Sequence, residues 1–250
     1  MARIEHVVLV ALAASIPVLV GCSDGDDAEP VLILAASSLT DAFAAMEDEF
    51  EAAHPDIDVQ VSFGGSSTLQ VQVEEGAPAA VVAFADAAPM RTLTDEGLVV
   101  DPVRFATNSI VLATPIDDPG SVDGVADLTD PDLLVGVCAA QVPCGAYARE
   151  VFDLAGIEPS IDTEEPDVRA LVAKLAAGEL DAGLVYATDV LAMPDRLRTV
   201  PLPAGVDVRT EYPIAVVEGS ADRDAAARFV DFVTSPAGRS VLEAAGFGAG

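Results

Sequence analysis

The chain reads as an α/β protein built on a mostly parallel sheet, and three observations predict it. Short Val/Ile/Leu runs of four to seven residues alternate with amphipathic stretches of helical period. Turn residues separate nearly every pair of runs. The runs are apolar on both faces, which suits strands covered by helices on either side.

Taken in order, Val31-Leu32-Ile33-Leu34-Ala35 is a buried strand. Leu39 to Ala52 follows as a helix, because Leu39, Phe43, Met46 and Phe50 fall on one face at helical spacing. Ile57 to Phe63 is a strand, and Gly64-Gly65-Ser66-Ser67 turns into a helix carrying Leu69 and Val73. Ala79 to Ala85 is a strand, after which Asp86 caps a helix running to about Asp95. Ser109 to Thr114 and Leu134 to Val137 are strands, and Gly145 to Ala155 is a helix. Pro166-Asp167-Val168 opens a helix that stops near Ala177-Gly178, and Ala182 to Tyr186 is the strand after it. Glu211 to Val217 is a strand, followed by helices over Ala221 to Val233 and Pro236 to Ala245. No repeat of 20–50 residues interrupts this alternation.

Ahead of the first strand lies a leader. Arg3 precedes an apolar run from Val7 to Val20 that only Ser15 and Pro17 interrupt. Such a run is too short and wrongly flanked for a membrane span and reads as a secretory signal peptide, although Glu5 offsets the usual positive start. Cys22 follows Gly21 and precedes the acidic stretch Ser23-Asp24-Gly25-Asp26-Asp27. That placement is similar to the lipobox of bacterial lipoproteins, which makes Cys22 the lipid anchor and the residues after it a tether. The folded part then begins near Pro30 and works outside the cytoplasm.

Composition narrows the partners. Formal net charge is −30, from 42 acidic and 12 basic residues, and Lys174 is the only lysine. Nucleic-acid binding depends on releasing counterions from phosphates by basic side chains, so nucleic acid is excluded as a partner, and an anionic lipid surface is disfavoured. With Cys22 set aside, Cys138 and Cys144 form an even pair in an oxidising compartment. They fit either a staple closing a tight loop or two small buried thiols.

Three strand-to-helix junctions concentrate small hydrogen-bond donors: Ala35 to Asp41, Gly64 to Leu69, and Val142 to Tyr147. Helix starts present unpaired N–H groups and a partial positive charge, a ready anion site, and open α/β sheets gather ligands at such junctions. Enzyme signatures are thin. Loss of the leader removes His6 and leaves His54, before Pro55, as the only base for a serine hydrolase. No G-x-S-x-G elbow, P-loop, HExxH, GxGxxG or EF-hand loop occurs. Binding, not chemistry, is the expectation, with no cofactor.

Taken together the junctions are similar to the molybdate-binding proteins of ABC importers. Ala35-Ala36-Ser37-Ser38-Leu39-Thr40-Asp41-Ala42-Phe43 resembles the family's opening, and Phe63 to Leu69 with Gln72 to Ala79 resembles its second segment. Val142-Pro143-Cys144-Gly145-Ala146-Tyr147-Ala148 resembles its V-P-A-G-x-Y-A block. Asp167-Val168-Arg169, Gly183 to Asp189, Glu211 to Val217, and the end from Ser235-Pro236-Ala237-Gly238 to Gly246-Phe247 complete the order.

The resemblance implies a two-lobed periplasmic-binding-protein fold of type II, each lobe a mostly parallel sheet flanked by helices. It divides the chain into a signal peptide (1–21), a lipidated tether (22–30), one lobe from 31–108 with 210–250, and a second from 109–209. Hinges fall near Arg104–Ser109 and Arg209–Pro213. The implied function is capture of molybdate, and of tungstate beside it, by a monomer that delivers it to a membrane permease. Carried over by position, the ligand contacts are Ser38, Ser66, Cys144, Val168 and Tyr186. The serines would give hydroxyl and backbone N–H, Cys144 and Val168 backbone N–H, and Tyr186 its hydroxyl. Cys144 stands where the family usually has Ala, a change a backbone contact survives, and Ala80 where Asp is common. Arg169 adjoins Val168 and fits either an approach to the ligand or a solvent-facing helix position. A sulfate-like anion is the alternative solute, and an extracellular hydrolase using His54 the alternative class.

Overall fold

The computed structural model describes residues 30–250. The signal peptide and Cys22, with all but the last residue of the expected tether, lie outside the described residues.

Strand β1 (Val31–Ala36) runs through a 3-10 turn at Ser37–Leu39 into helix α1 (Thr40–Ala53). Next come β2 (Val59–Gly64), α2 (Ser66–Glu74), β3 (Val81–Ala83) and α3 (Ala87–Asp95). The long β4 (Val99–Pro115) leads to β5 (Val135–Cys138), α4 (Pro143–Ala155), β6 (Thr163–Glu165) and α5 (Val168–Ala177). After β7 (Ala182–Tyr186) follow the short α6 (Ala187–Leu191), β8 (Leu197–Val200) and β9 (Arg209–Val217). The chain closes with α7 (Arg223–Thr234), α8 (Pro236–Ala244) and β10 (Gly248–Ala249).

The expected alternation is present, and its two-sided strands have a visible cause. Val31, Ile33 and Ala35 of β1 point into one apolar core while Leu34 points into another, the period-2 alternation of a strand. β3 and β9 repeat the division, with Val81, Ala83, Ile214 and Val216 on one side and Val82 and Ala215 on the other. Under the first face lie Phe43, Met46 and Phe50, all fully buried, and Phe50 meets Phe229 of α7 edge-on at 5.2 Å between ring centres. Under the second face lie Leu69, Val73, Met90 and Leu93 from α2 and α3.

Strand order is β2-β1-β3-β9-β4-β7-β5-β6, with β8 and β10 also pairing β4. The flanks are parallel: β1 with β2 and β3, and β5 with β6 and β7. The centre is antiparallel, because β9 returns along both β3 and β4, and β7 and β8 run against β4. β4 is the element common to both halves. It pairs β9 as far as Ser109–Arg209 and takes up β7 from Ile110–Tyr186. The segments expected as hinges therefore lie side by side in register, Arg104 opposite Pro213 and Ser109 opposite Arg209. Among the described residues no helix is long and apolar enough to cross a membrane.

Candidate functional site

Each junction singled out in the sequence sits at the C-terminal end of a parallel strand. The 3-10 turn after β1 carries Ser38, 9% exposed, with its Oγ 2.9 Å from Tyr212 Oη. After β2, Gly65 takes the N-cap position of α2 and Ser66 begins the helix, buried, its Oγ accepting the N–H of Ala85 at 3.0 Å. Because that oxygen already accepts from the backbone, the Ser66 hydroxyl proton is free to point elsewhere.

The facing wall is built from main chain. β5 ends at Cys138, and a disulfide to Cys144 (Cα–Cα 5.7 Å) ties the strand end to the start of α4. Of the two readings the sequence left open, the staple is the one present. Pro143 opens α4, and the first amide of that helix to find a partner in the turn is Gly145 N–H, on Val142 C=O at 3.0 Å. Cys144 N–H is thus one of the helix's unpaired first-turn donors. α5 repeats the arrangement: Asp167 caps it by accepting Ala170 N–H at 3.0 Å, and Val168 N–H stands at the first helical position. β7 ends on Tyr186, 1% exposed, whose hydroxyl is buried without a protein partner among the described residues. Burial holds that phenol well above its ordinary pKa, so it remains a donor.

Ser38, Ser66, Cys144, Val168 and Tyr186 all line one small cavity, about 10 Å³, the room of about one water molecule. Larger hollows include one of about 340 Å³ passing the Asp41–Arg169 pair and one of about 510 Å³ between α1 and α8. The five residues come together only in the small cavity. Lysine, arginine and histidine are absent from its lining, and Asp167, its only acid, is engaged as a helix cap. Among the described residues no group of His, Cys, Asp and Glu is arranged to hold a cation.

The walls touch. Ser67 Oγ donates to Gln141 C=O at 2.6 Å, and Arg169 reaches across to Asp41 at 2.9 Å. Arg169 therefore sits at the rim, outside the cavity lining, with its guanidinium engaged by Asp41 of the opposite wall. Gly65 is a second point of close approach: a Cβ there would lie 2.9 Å from Val142 Cγ1 and 3.1 Å from Pro166 C=O. Behind the tyrosine wall, the buried Asp189 accepts Tyr186 N–H at 3.1 Å, and burial raises its carboxyl to about 7. His54 ends α1 with its ring 4.6 Å from that of Phe50, away from the cavity lining.

Sequence reasoning did not single out Asn108, Thr188, Thr210 or Tyr212, all buried close behind the serines. Tyr212 belongs to the quoted Glu211-to-Val217 block, so a signal existed; Asn108 carried none.

Comparison with known proteins adds the following. The family described as bacterial extracellular solute-binding protein matches residues 31–248. A molybdate-binding protein of Mycobacterium tuberculosis is 36% identical over 240 residues, covering 96% of this chain and 92% of that protein. The periplasmic molybdate-binding protein of Azotobacter vinelandii superposes with a TM-score of 0.76 at 20% identity, over 87% of this chain and 98% of that one. A sulfate-binding protein of Mycobacterium tuberculosis superposes with 0.78 at 17% identity, over 87% and 86%.

Proposed function

The chain belongs to the bacterial extracellular solute-binding proteins, within the molybdate-binding family, and from that premise we propose that it captures molybdate, with tungstate, in the cavity between its two walls. The observation that carries this reading is the convergence of Ser38, Ser66, Cys144, Val168 and Tyr186 on one small cavity whose lining offers donors and no cation.

A dianion can be held there by fixed dipoles. Hydrogen bonds to a charge are shorter and stronger than neutral ones, and a helix start adds about half a positive charge. Three helix starts face the cavity, at Ser66, Cys144 and Val168, beside the hydroxyls of Ser38, Ser66 and Tyr186. The ligand's oxygens need only accept. A hydrogen phosphate would bring a proton that requires an acceptor, and none of the five contacts supplies an obvious one such as a carboxylate. Sulfate has the right shape and charge but shorter bonds, so cavity size is the discriminator against it. Molybdate and tungstate present the same acceptor tetrahedron at nearly the same size, hence the pairing.

Closure follows from the same geometry. Ser38 and Ser66 sit on the half that comprises residues 31–108 and 210–250, the other three contacts on the half of 109–209. Ligand bridging the two favours the closed arrangement, and a permease of the ABC type reads that state. Lipid on Cys22 would keep the protein at the membrane where the permease works. The relatives are solute-binding components, which supports binding over the hydrolase alternative.

The test is a thermal-shift titration of the chain from residue 23 with molybdate, tungstate, sulfate and phosphate. Ligand at a thousand times its dissociation constant adds about 4 kcal/mol, on the order of 10 °C here. Shifts with molybdate and tungstate alone are the expected outcome. A shift with sulfate instead would keep the fold and change the solute, and no shift with any of the four would remove the site.

A further inference from the structure

Ser38 is not an independent donor. Its Oγ shares a hydrogen bond of 2.9 Å with Tyr212 Oη, and either oxygen can in principle be the donor. The surroundings settle the direction. Asn108 Oδ1 accepts the N–H of Ser109 at 2.9 Å, which fixes that end of the amide as the oxygen. Its Nδ2 is then the group facing Thr188 Oγ1 at 2.9 Å and Tyr212 Oη at 3.4 Å. An amide NH2 only donates, so Tyr212 receives from Asn108 and keeps its own proton to give. The acceptor within reach is Ser38 Oγ, and Ser38, having accepted, has a single proton left to aim at the cavity.

Resting on the oxyanion reading above, we propose that Tyr212, oriented by Asn108, is a positioning residue that locks the Ser38 hydroxyl as a donor to the bound anion. Tyr212 is fully buried, and its ring is held edge-on by Phe105, Tyr186 and Phe247. Burial also raises its phenol well above the ordinary value, so the proton it passes to Ser38 stays in place. Ser66 reaches the same condition by a shorter route, through Ala85 N–H. With each serine oxygen already accepting one internal hydrogen bond, its single proton is left to point at the cavity, where it meets a ligand oxygen as an acceptor. The device thus acts on selectivity as well as affinity: it favours oxyanions that arrive without a proton.

The experiment is a mutant cycle read by calorimetric titration of the full-length gene product as the cell processes it, with molybdate and with inorganic phosphate. Tyr212→Phe removes one oxygen and keeps the ring. It should weaken molybdate about tenfold and narrow the preference for molybdate over phosphate. Ser38→Ala should cost at least as much, and the double variant no more than Ser38→Ala alone, because Tyr212 acts through that hydroxyl. Asn108→Ala gives a second route to the same test, with a smaller loss that also disappears in the Ser38→Ala background. Wild-type molybdate affinity in Tyr212→Phe, or losses that add in the double variant, would overturn the relay while leaving the site. Wild-type affinity in Ser38→Ala would overturn both.

Discussion

The two walls of the cavity present donors of different kinds. On one side Ser38 and Ser66 offer side-chain hydroxyls, each with its oxygen occupied by an internal donor. On the other, Cys144 and Val168 stand at helix starts where the donor is the amide, and Tyr186 alone contributes a side-chain hydroxyl. A hydroxyl wall is fragile to deletion of one atom. An amide wall is indifferent to side-chain identity but depends on where the helix start is held. That explains why Cys can occupy position 144 and why the chain spends a disulfide and a glycine on placing the main chain there.

The sharpest way to break this distinction is Gly145→Ala. A Cβ at 145 would lie 1.9 Å from Ala139 C=O and 2.5 Å from Cys138 C=O, so the start of α4 must move away from β5. Overpacking of backbone on backbone costs about 3 kcal/mol, and displacement of the neighbouring Cys144 amide should lower molybdate affinity by about a hundredfold or more. Melting and titration of this variant measure the two effects; retention of both would show that the amide wall is not set by this contact. Next in size is the pair Ser66→Ala and Val168→Ala. The serine should lose roughly 1.5–3 kcal/mol of binding, the scale of a hydrogen bond to a charge, with little change in apo melting. The valine, 1% exposed, should lose about 1–2 kcal/mol of stability and leave the dissociation constant within about threefold. Reversal of that pattern would erase the difference between the walls.

The smallest effect concerns Asp189, behind Tyr186. Burial raises its carboxyl from 3.8 to about 7, opposed by the N–H of Tyr186 and the charge of Arg169. The native state therefore holds this proton more tightly than the unfolded chain between those two values. Stability from this group is complete below about pH 4 and declines as pH rises through about 7. Asp189→Asn should remove that decline, so that the variant gains on wild type at pH 8 and differs little from it at pH 4. Melting curves of both proteins at the two values check it, and parallel curves would contradict the burial argument.

Much of this architecture was legible from the chain. Ala182 to Tyr186 is predicted and found with the same ends, and the helix face of Leu39, Phe43, Met46 and Phe50 is fully buried, because local apolar period reports burial directly. The first half of β4 was not legible: Val99 to Asn108 carries Asp101, Pro102 and Arg104, with several exposed positions, and becomes strand through pairing with β9. β6, with the sequence Thr-Glu-Glu, and β8 likewise exist through their neighbours. The family resemblance supplied the five cavity residues, because each sits in a block of a few positions at a strand end or helix start. The Asn108–Tyr212–Ser38 relay joins residues 104 and 174 positions apart, and no local pattern encodes that.

The cation-free lining has a consequence for rates. An incoming dianion meets a chain of net charge −30 and finds no arginine or lysine in the cavity to draw it in. Long-range forces therefore slow the encounter, whereas short-range dipoles alone set how long the ligand stays. Added salt shortens the reach of the repulsion to about 8 Å at physiological strength and leaves the buried contacts almost untouched. Capture thus quickens with ionic strength while release keeps its pace, so a saline medium becomes the setting in which this protein scavenges fastest.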